Sequence, residues 1–354
     1  MSTPGTALPD WVRAFGEPLY TATIRQTPSD FCVTENLAIE FSGDGEHDYL
    51  WIEKTGANTQ WVARQLARHA TTRSADVGFS GMKDRHAVTQ QWFSLPRKGE
   101  GTDWSAFACD GVEILEVTRH QRKLKRGAHK SNSFRIALRA ASTLPDAQVV
   151  ESRLDEISRN GVPNYFGPQR FGNNASNLQL AGQLFSGKRL HRDKRSIAIS
   201  AARSFLFNEI LNARVRDGTW NRILPGELAN LDGSGSVFQV DQPDEDLERR
   251  CEEMDIHPTA TLCGLQSDKP ASAMSPGVVA RIELDAIEAH QDLKAGLERL
   301  AIKASHRALR LRVQSLSWRF EDEALWLEFT LPKGAFATSV LRELVNVDSG
   351  AGAV

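Results

Sequence analysis

The chain runs to 354 residues, 40% hydrophobic and 25% charged, with a formal net charge of −2. That length supports two sizeable cores, and no apolar run approaches the roughly 20 residues a membrane helix needs. The opening MSTPGTALPDWVRAFGE has no basic start followed by an apolar stretch, and Cys32, Cys109, Cys251 and Cys263 show neither C-x-x-C pairing nor a matching histidine spacing, so a secretory signal, a disulfide framework and a zinc site are not expected and a cytoplasmic protein is.

Taken in chain order, NTQWVARQLARHA predicts a helix with Asn58 as N-cap. Val62, Leu66 and Ala70 form its dry stripe, and Arg64 and Arg68 its wet one. DVGFSG reads as a short buried strand ending at Gly81 and QWFSL as the next strand, which leaves MKDRHAVTQ as a charged loop between packed elements. SFRIALR alternates Phe134, Ile136 and Leu138 with Arg135, Ala137 and Arg139, the period of a strand with one dry and one basic face. From Gly161 the texture changes. GVPNYFGPQRFGNNASN sets Gly, Pro and Asn around Tyr165, Phe166 and Phe171 and reads as a structured loop or domain entry.

Helices are predicted over 175–185 and 197–216, a hairpin around LDGSGS, an acidic helix near 243–254 and a long amphipathic segment over 278–301. Alternation returns at Leu316, Trp318 and Phe320 and, after a turn at 321–323, at Leu325, Leu327, Phe329 and Leu331. A helix from about Thr338 follows, and the closing DSGAGAV reads as disorder. Strand-rich ends around a helix-rich middle predict a mixed α/β (α+β) protein: a discontinuous domain of residues 1–160 and 310–354, interrupted by an inserted domain of residues 161–309.

Charge is segregated along the chain. RHQRKLKRGAHK, residues 119–130, carries six Lys or Arg and no acid, whereas DQPDEDLERRCEEMD, residues 241–255, is acid-rich. Further basic clusters stand at 187–195 and 303–312. A basic run alone is usually a solvated face, but three in a near-neutral chain favour a polyanionic partner. Asp84, flanked by Lys83 and Arg85, is either an exposed loop residue or a carboxylate set among cations on a loop that carries chemistry. No phosphate-cradling glycine loop, G-x-S-x-G or H-E-x-x-H motif accompanies it. The carboxylate would act alone, as in nucleophilic or proton-abstracting chemistry on a sugar or base.

In GMKDRHAVTQQW, KSNSF, GVPNYFGPQRFG, SAARSFLFNEIL and LPKGAFATSVLREL, in that order over nearly the whole chain, the sequence resembles the TruD family of tRNA pseudouridine(13) synthases. The resemblance implies a pseudouridine-synthase core with permuted strand order, an inserted TRUD domain and isomerisation of a tRNA uridine without metal or organic cofactor. It also implies that Asp84 is the essential carboxylate, that Phe134 stacks on the flipped uracil, and that Asn132, Lys83 and Phe336 belong to the pocket. Arg25 falls where bacterial members carry a lysine, a change that keeps charge but alters geometry.

From pattern alone, Phe134 is the first core residue of an alternating strand, Phe336 shares that ambiguity, Asn132 could be a turn residue and Arg25 a surface cation. Tyr165, Phe166, Gln169 and Arg170 read as braces of the domain junction, and His86 as a structural histidine rather than half of a dyad. Three functions stay open: a tRNA uridine isomerase, a catalytically silent RNA-binding or RNA-folding protein on the same scaffold, and a metal-dependent nuclease or phosphotransferase that uses Asp84 with other acids. No membrane partner is expected. The oligomeric state is not encoded in any motif, with a monomer as the default.

Overall fold

The computed structural model describes residues 7–266, 277–321 and 323–348. The predicted turn at 321–323 includes, at 322, a residue outside them, and the expected disorder of the tail lies outside them from residue 349 on. Of the described residues, those in Met1–Pro18, Gln148–Arg312 and Ala335–Leu344 form one compact unit, and those in Leu19–Ala147, Val313–Gly334 and Val345–Val354 the other. No helix among the described residues is long and apolar enough to cross a membrane.

The second unit is built on a sheet of ten strands. In chain order these begin with β1 (Tyr20–Thr23), β2 (Phe31–Leu37) and β3 (His47–Thr55). Helix α1 (Thr59–His69) follows, then β4 (Gly78–Phe79), β5 (Val88–Pro96), β6 (Val112–His120) and β7 (His129–Ala140). The chain then builds the other unit from α2 (Ala147–Asn160), β8 (Val162–Pro163), α3 (Ser176–Phe185), α4 (Arg192–Arg216), β9 (Glu227–Leu231) and β10 (Val237–Val240). It continues with α5 (Glu245–Glu252), β11 (Ile256–Leu262), α6 (Val278–Ala286), α7 (Gln291–Arg299), β12 (Ser305–Ala308) and β13 (Arg310–Leu311). It returns through β14 (Gln314–Glu321) and β15 (Ala324–Pro332), then α8 (Ala337–Leu341) and β16 (Val345–Asp348).

The large sheet has the order β14-β15-β7-β2-β5-β3-β6, with β4 paired to β5 and β1 paired to both β16 and β7. The β2–β5 and β1–β16 pairs are parallel. One face is dry because α1 covers it. Asn58 caps the helix by accepting from the Gln60 amide at 2.9 Å. Val62 and Leu66 are fully buried against Leu50, Ile52 and Phe93, each burial worth about 1.5–3 kcal/mol. On β7 the alternation holds for Phe134, Ile136 and Leu138, but Ala137 is also fully buried, so the opposite face is not uniformly wet.

The predicted DVGFSG strand is cut to two residues. Beyond Phe79 the backbone leaves the sheet, and the Gly127 amide donates to Ser80 O at 2.7 Å. Gly78 is needed here: a Cβ on it would stand 2.4 Å from the Leu124 carbonyl oxygen and 2.5 Å from Ser94 Oγ.

In the other unit, α4 is the central element, packed by α3, α6 and α7. Phe205, Leu206, Phe207, Ile210 and Leu211 on it join Trp11, Tyr165, Phe166 and Phe171 in one core. The aromatic loop thus serves packing, with Tyr165 Oη donating to the Val12 carbonyl at 3.1 Å and Ser339 Oγ to the Tyr165 carbonyl at 2.8 Å. The segment expected to be one long amphipathic run over 278–301 is broken instead. A 3₁₀ turn at Glu288–His290 separates α6 from α7; Ile287 there is buried and the His290 ring packs edge-on to Phe205 at 4.9 Å. The β9–β10 hairpin, α5 and α8 fall where the sequence pattern puts them.

Gly78→Ala should lower the unfolding free energy by about 1–3 kcal/mol through overpacking. Gly182→Ala, on α3 with open space where its Cβ would go, should raise it by about 0.5–1 kcal/mol by removing a helical glycine. Denaturant titration of both proteins measures this, and equal effects of one sign would contradict the packing described.

Candidate active site

Asp84 sits on the loop between β4 and β5, and its two carboxylate oxygens have different partners. Oδ2 lies 2.6 Å from Arg25 Nη2. Oδ1 accepts from the His86 backbone amide at 2.9 Å, the local bond by which an aspartate closes its own turn. The His86 imidazole is exposed, so this residue serves the site through its main chain. Arg85 is also exposed, and its Nε donates to the Gly56 carbonyl at 3.3 Å.

The loop is fixed from beneath by charged groups on β2 and β3. Lys83 Nζ is 2.8 Å from Glu35 Oε2, with both side chains almost wholly buried. Ser80 Oγ donates to the same Glu35 oxygen at 3.2 Å and exchanges a hydrogen bond with His129 Nδ1 at 2.6 Å. Glu35 Oε1 accepts from the Trp92 amide at 3.3 Å. Lys54, fully buried, donates from Nζ to the Asp84 carbonyl oxygen at 2.8 Å. Thr59 Oγ1 accepts from the Lys83 amide at 3.0 Å and donates to Gln91 Oε1 at 3.0 Å, while Gln91 Nε2 donates to the Gly81 carbonyl at 3.1 Å. A buried charge is tolerable only when it is paired and hydrogen-bonded, and that requirement ties the loop to the sheet at several points.

Burial pushes the Lys54 ammonium down to about 8; the Asp84 charge opposes that shift and Lys83 adds to it. His129 is likewise pushed below its ordinary value, by burial first and then by the Lys83 charge.

Arg25 adopts an unusual backbone, with φ at +60°, a conformation that costs a residue with a Cβ of order 1 kcal/mol and persists where surroundings impose it. Its guanidinium carbon stands 4.2 Å from the centre of the Phe31 ring, a cation–π contact that orients the charge. The Phe31 ring meets Phe134 edge-on at 6.3 Å, and Phe134 stacks on Phe329 at 5.4 Å and 25°. Phe134 is 9% exposed.

Cross-strand partners share a face. Val33 pairs with Phe134 and Thr89, Glu35 with Asn132, and Lys54 with Thr89. Phe31, Glu35, Lys54, Thr89, Asn132 and Phe134 therefore belong to one face, the face that carries the Asp84 loop. Three buried polar atoms in this region, Arg25 Nε, Thr89 Oγ1 and Asn132 Oδ1, have no hydrogen-bond partner among the described residues. Such groups cost free energy unless something satisfies them.

Of the residues singled out in the sequence, Asp84, Arg25, Lys83, Asn132 and Phe134 belong to one unit and, through the contacts and strand pairings given, to one region of it. Lys83 faces inward to Glu35. Phe336 belongs to the other unit, where it packs 6.3 Å from Phe166 with Arg170 5.6 Å over its ring. Sequence reasoning missed Glu35, Thr59, Lys54, Ser80 and His129. A signal for two of them was present: Glu35 continues the Phe31, Val33 alternation and Lys54 the Leu50, Ile52 alternation, so each puts a charge where the pattern calls for an apolar side chain.

No group of three or more His, Cys, Asp or Glu side chains is placed to hold a metal ion among the described residues. Fold and site together define a mixed α/β protein whose candidate centre is a single carboxylate, clamped to an arginine on a loop that buried lysines anchor.

The chain belongs to the tRNA pseudouridine synthase D (TruD) family, whose model matches residues 14–188 and 185–344. A protein named tRNA pseudouridine synthase D from Methylococcus capsulatus is 46% identical over 343 residues, covering 96% of this chain and 95% of the relative. A relative of the same name from Psychrobacter arcticus is 45% identical over 373 residues, covering 93% and 91%. In fold the chain is similar to a crystal structure from Methanosarcina mazei, of a protein described as a candidate tRNA pseudouridine synthase D, with a TM-score of 0.73 at 20% identity over 98% of this chain and 99% of that one.

Nitrogen-detected NMR of labelled lysines should find the Lys54 Nζ titrating near pH 8, well below the ordinary lysine value of about 10.4. In the Asp84→Ala protein it should move to lower pH, because the charge that raises it is gone. The native state then binds fewer protons than the unfolded chain between about pH 8 and 10.4, so this group makes stability rise with pH through that window. A Lys54 signal at the ordinary value would contradict its burial as an ammonium group.

Proposed function

We propose that this protein isomerises uridine 13 of tRNA to pseudouridine, with Asp84 as the catalytic carboxylate. The observation that carries the reading is the Asp84 carboxylate, 2.6 Å from Arg25 and 31% exposed on an anchored loop, in a chain that matches proteins named tRNA pseudouridine synthase D over more than nine-tenths of its length.

The reaction breaks the bond between N1 of uracil and C1′ of ribose, turns the base and joins C5 to C1′; C5 gives its proton to solvent and N1 takes one up. The proton lost equals the proton gained and the electron pairs stay within the nucleotide, so no oxidant or reductant is required. A carboxylate can serve by attack on the sugar or the base, or by taking a sugar proton. In each case Arg25 orients it through a charge-assisted bond and the His86 amide fixes its second oxygen.

A uridine within a folded tRNA must leave its stack before the base can turn, which costs a few kcal/mol. The Phe134 ring, 9% exposed and stacked on Phe329, is the aromatic surface on which the base is held, a contact worth about 1–3 kcal/mol. Asn132 Oδ1 lacks a partner among the described residues and accepts the N3–H of uracil, which gives the site a reason to prefer uracil over cytosine. Lys83 acts from below, through Glu35, as an anchor of the loop.

Tritium release from C5-labelled uridine in tRNA measures the reaction directly. Asp84→Asn should reduce release by at least about 100-fold while tRNA affinity stays within about tenfold, since a group acting in the transition state need not contribute to ground-state binding. A tRNA with cytidine at position 13 should release nothing from any other site. Undiminished release by the Asp84→Asn protein would overturn the role of Asp84, and no release by the unmutated protein would overturn the reaction.

A further inference from the structure

Next to the Asp84 loop the sheet unit carries a basic groove that the chemistry does not use. Two hollows of about 520 and 760 Å³ share Lys123 in their walls. Arg64, Lys123, Lys125 and Arg126 line the smaller. Arg68, Arg73, Lys98 and Lys123 line the larger. Counting Lys123 once makes seven cations. Against them stands one lining carboxylate, Asp76, and Arg73 binds it at 2.8 Å.

The cations come from different parts of the chain and line two hollows that share Lys123. Arg64 and Arg68 are the wet stripe of α1, one turn and about 6 Å apart along its axis, close to the step between successive phosphates of one strand. Lys123, Lys125 and Arg126 follow β6 in the run that carries no acid. Such a concentration of like charge repels itself in the free protein, and a polyanion relieves it.

The groove is also built into the catalytic loop. Arg126 lies 3.6 Å over the ring of Phe79, which closes β4 and lines the smaller hollow, and the Gly127 amide donates to the Ser80 carbonyl. A molecule seated on these cations is therefore held at a fixed offset from Asp84.

We infer that this groove takes the sugar-phosphate backbone of the tRNA flanking the nucleotide to be modified, an inference that rests on the reading of the protein as a tRNA pseudouridine synthase. A backbone suits the groove better than an acidic peptide, because its charges are regularly spaced and the lining sets seven cations against one carboxylate that is already paired.

The test is the triple variant Arg64→Gln, Arg68→Gln, Lys125→Gln, all exposed side chains outside the catalytic machinery. Its steady-state kinetics on whole tRNA are followed across a salt series. The KM should rise by at least about tenfold near 0.15 M salt with kcat within about twofold, and the slope of log(kcat/KM) against log salt should become shallower by about 2, as three lost phosphate contacts require. An unchanged KM and slope in an active variant would overturn the inference, including the case in which the groove serves an acidic protein instead. Should the unmutated protein form no pseudouridine, the reading of the reaction fails; the groove is then judged by the Kd for tRNA of the same two proteins, and an unchanged Kd overturns it.

Discussion

Two buried ammonium groups hold the backbone that carries Asp84. Lys54 reaches up from β3 to the Asp84 carbonyl, and Lys83 reaches down from the loop to Glu35 on β2. Neither lysine has bulk water as an alternative partner, so each bond is far less dispensable than the same contact at a surface. The arrangement turns the free-energy cost of buried charge into positional accuracy for a loop with only a two-residue strand before it. Arg25 completes the arrangement from another segment, held by Phe31 in a backbone conformation that a residue with a side chain seldom adopts.

On the function proposed above, one sheet face brings recognition and chemistry together. Cross-strand pairing brings Phe134 beside Val33 and Phe329, and Asn132 beside Glu35, without any local sequence signal linking them. The buried atoms left without partners, Arg25 Nε, Thr89 Oγ1 and Asn132 Oδ1, mark a region less satisfied than the rest of the core. A fold keeps such debts where a ligand's polar edge can settle them. On the inference drawn above, the α1 arginines and the run after β6 would supply long-range attraction, which brings a polyanion in quickly but does not select a base.

Much of this was legible in the sequence where the physics is local. Asn58 announced its helix because a cap acts within three residues, and the charged loop around Asp84 stood out between two apolar runs. The alternation of β7 and β15 showed their dry faces directly. What stayed hidden was non-local. Arg25 and Asp84 are far apart in sequence, and only the parallel β2–β5 pairing and the turn after β1 bring them together. The break between α6 and α7 was invisible because Ile287 fits a helical stripe as well as a buried turn. Lys54 and Glu35 were readable as charges at apolar positions, although a pattern read for its majority passes over them. The motif that carries Phe336 does not say which unit the residue packs in, which is set by its contacts with Phe166 and Arg170.

The central claim is that buried anchors, rather than the loop's own sequence, set the position of the carboxylate. A crystal structure of the Lys54→Met protein tests it most directly. The account predicts that the Asp84 main chain moves by more than about 1 Å, a displacement large enough to cost catalysis about 100-fold, and that the carboxylate leaves Arg25. An Asp84–Arg25 contact preserved at its present distance on an unmoved loop would contradict it.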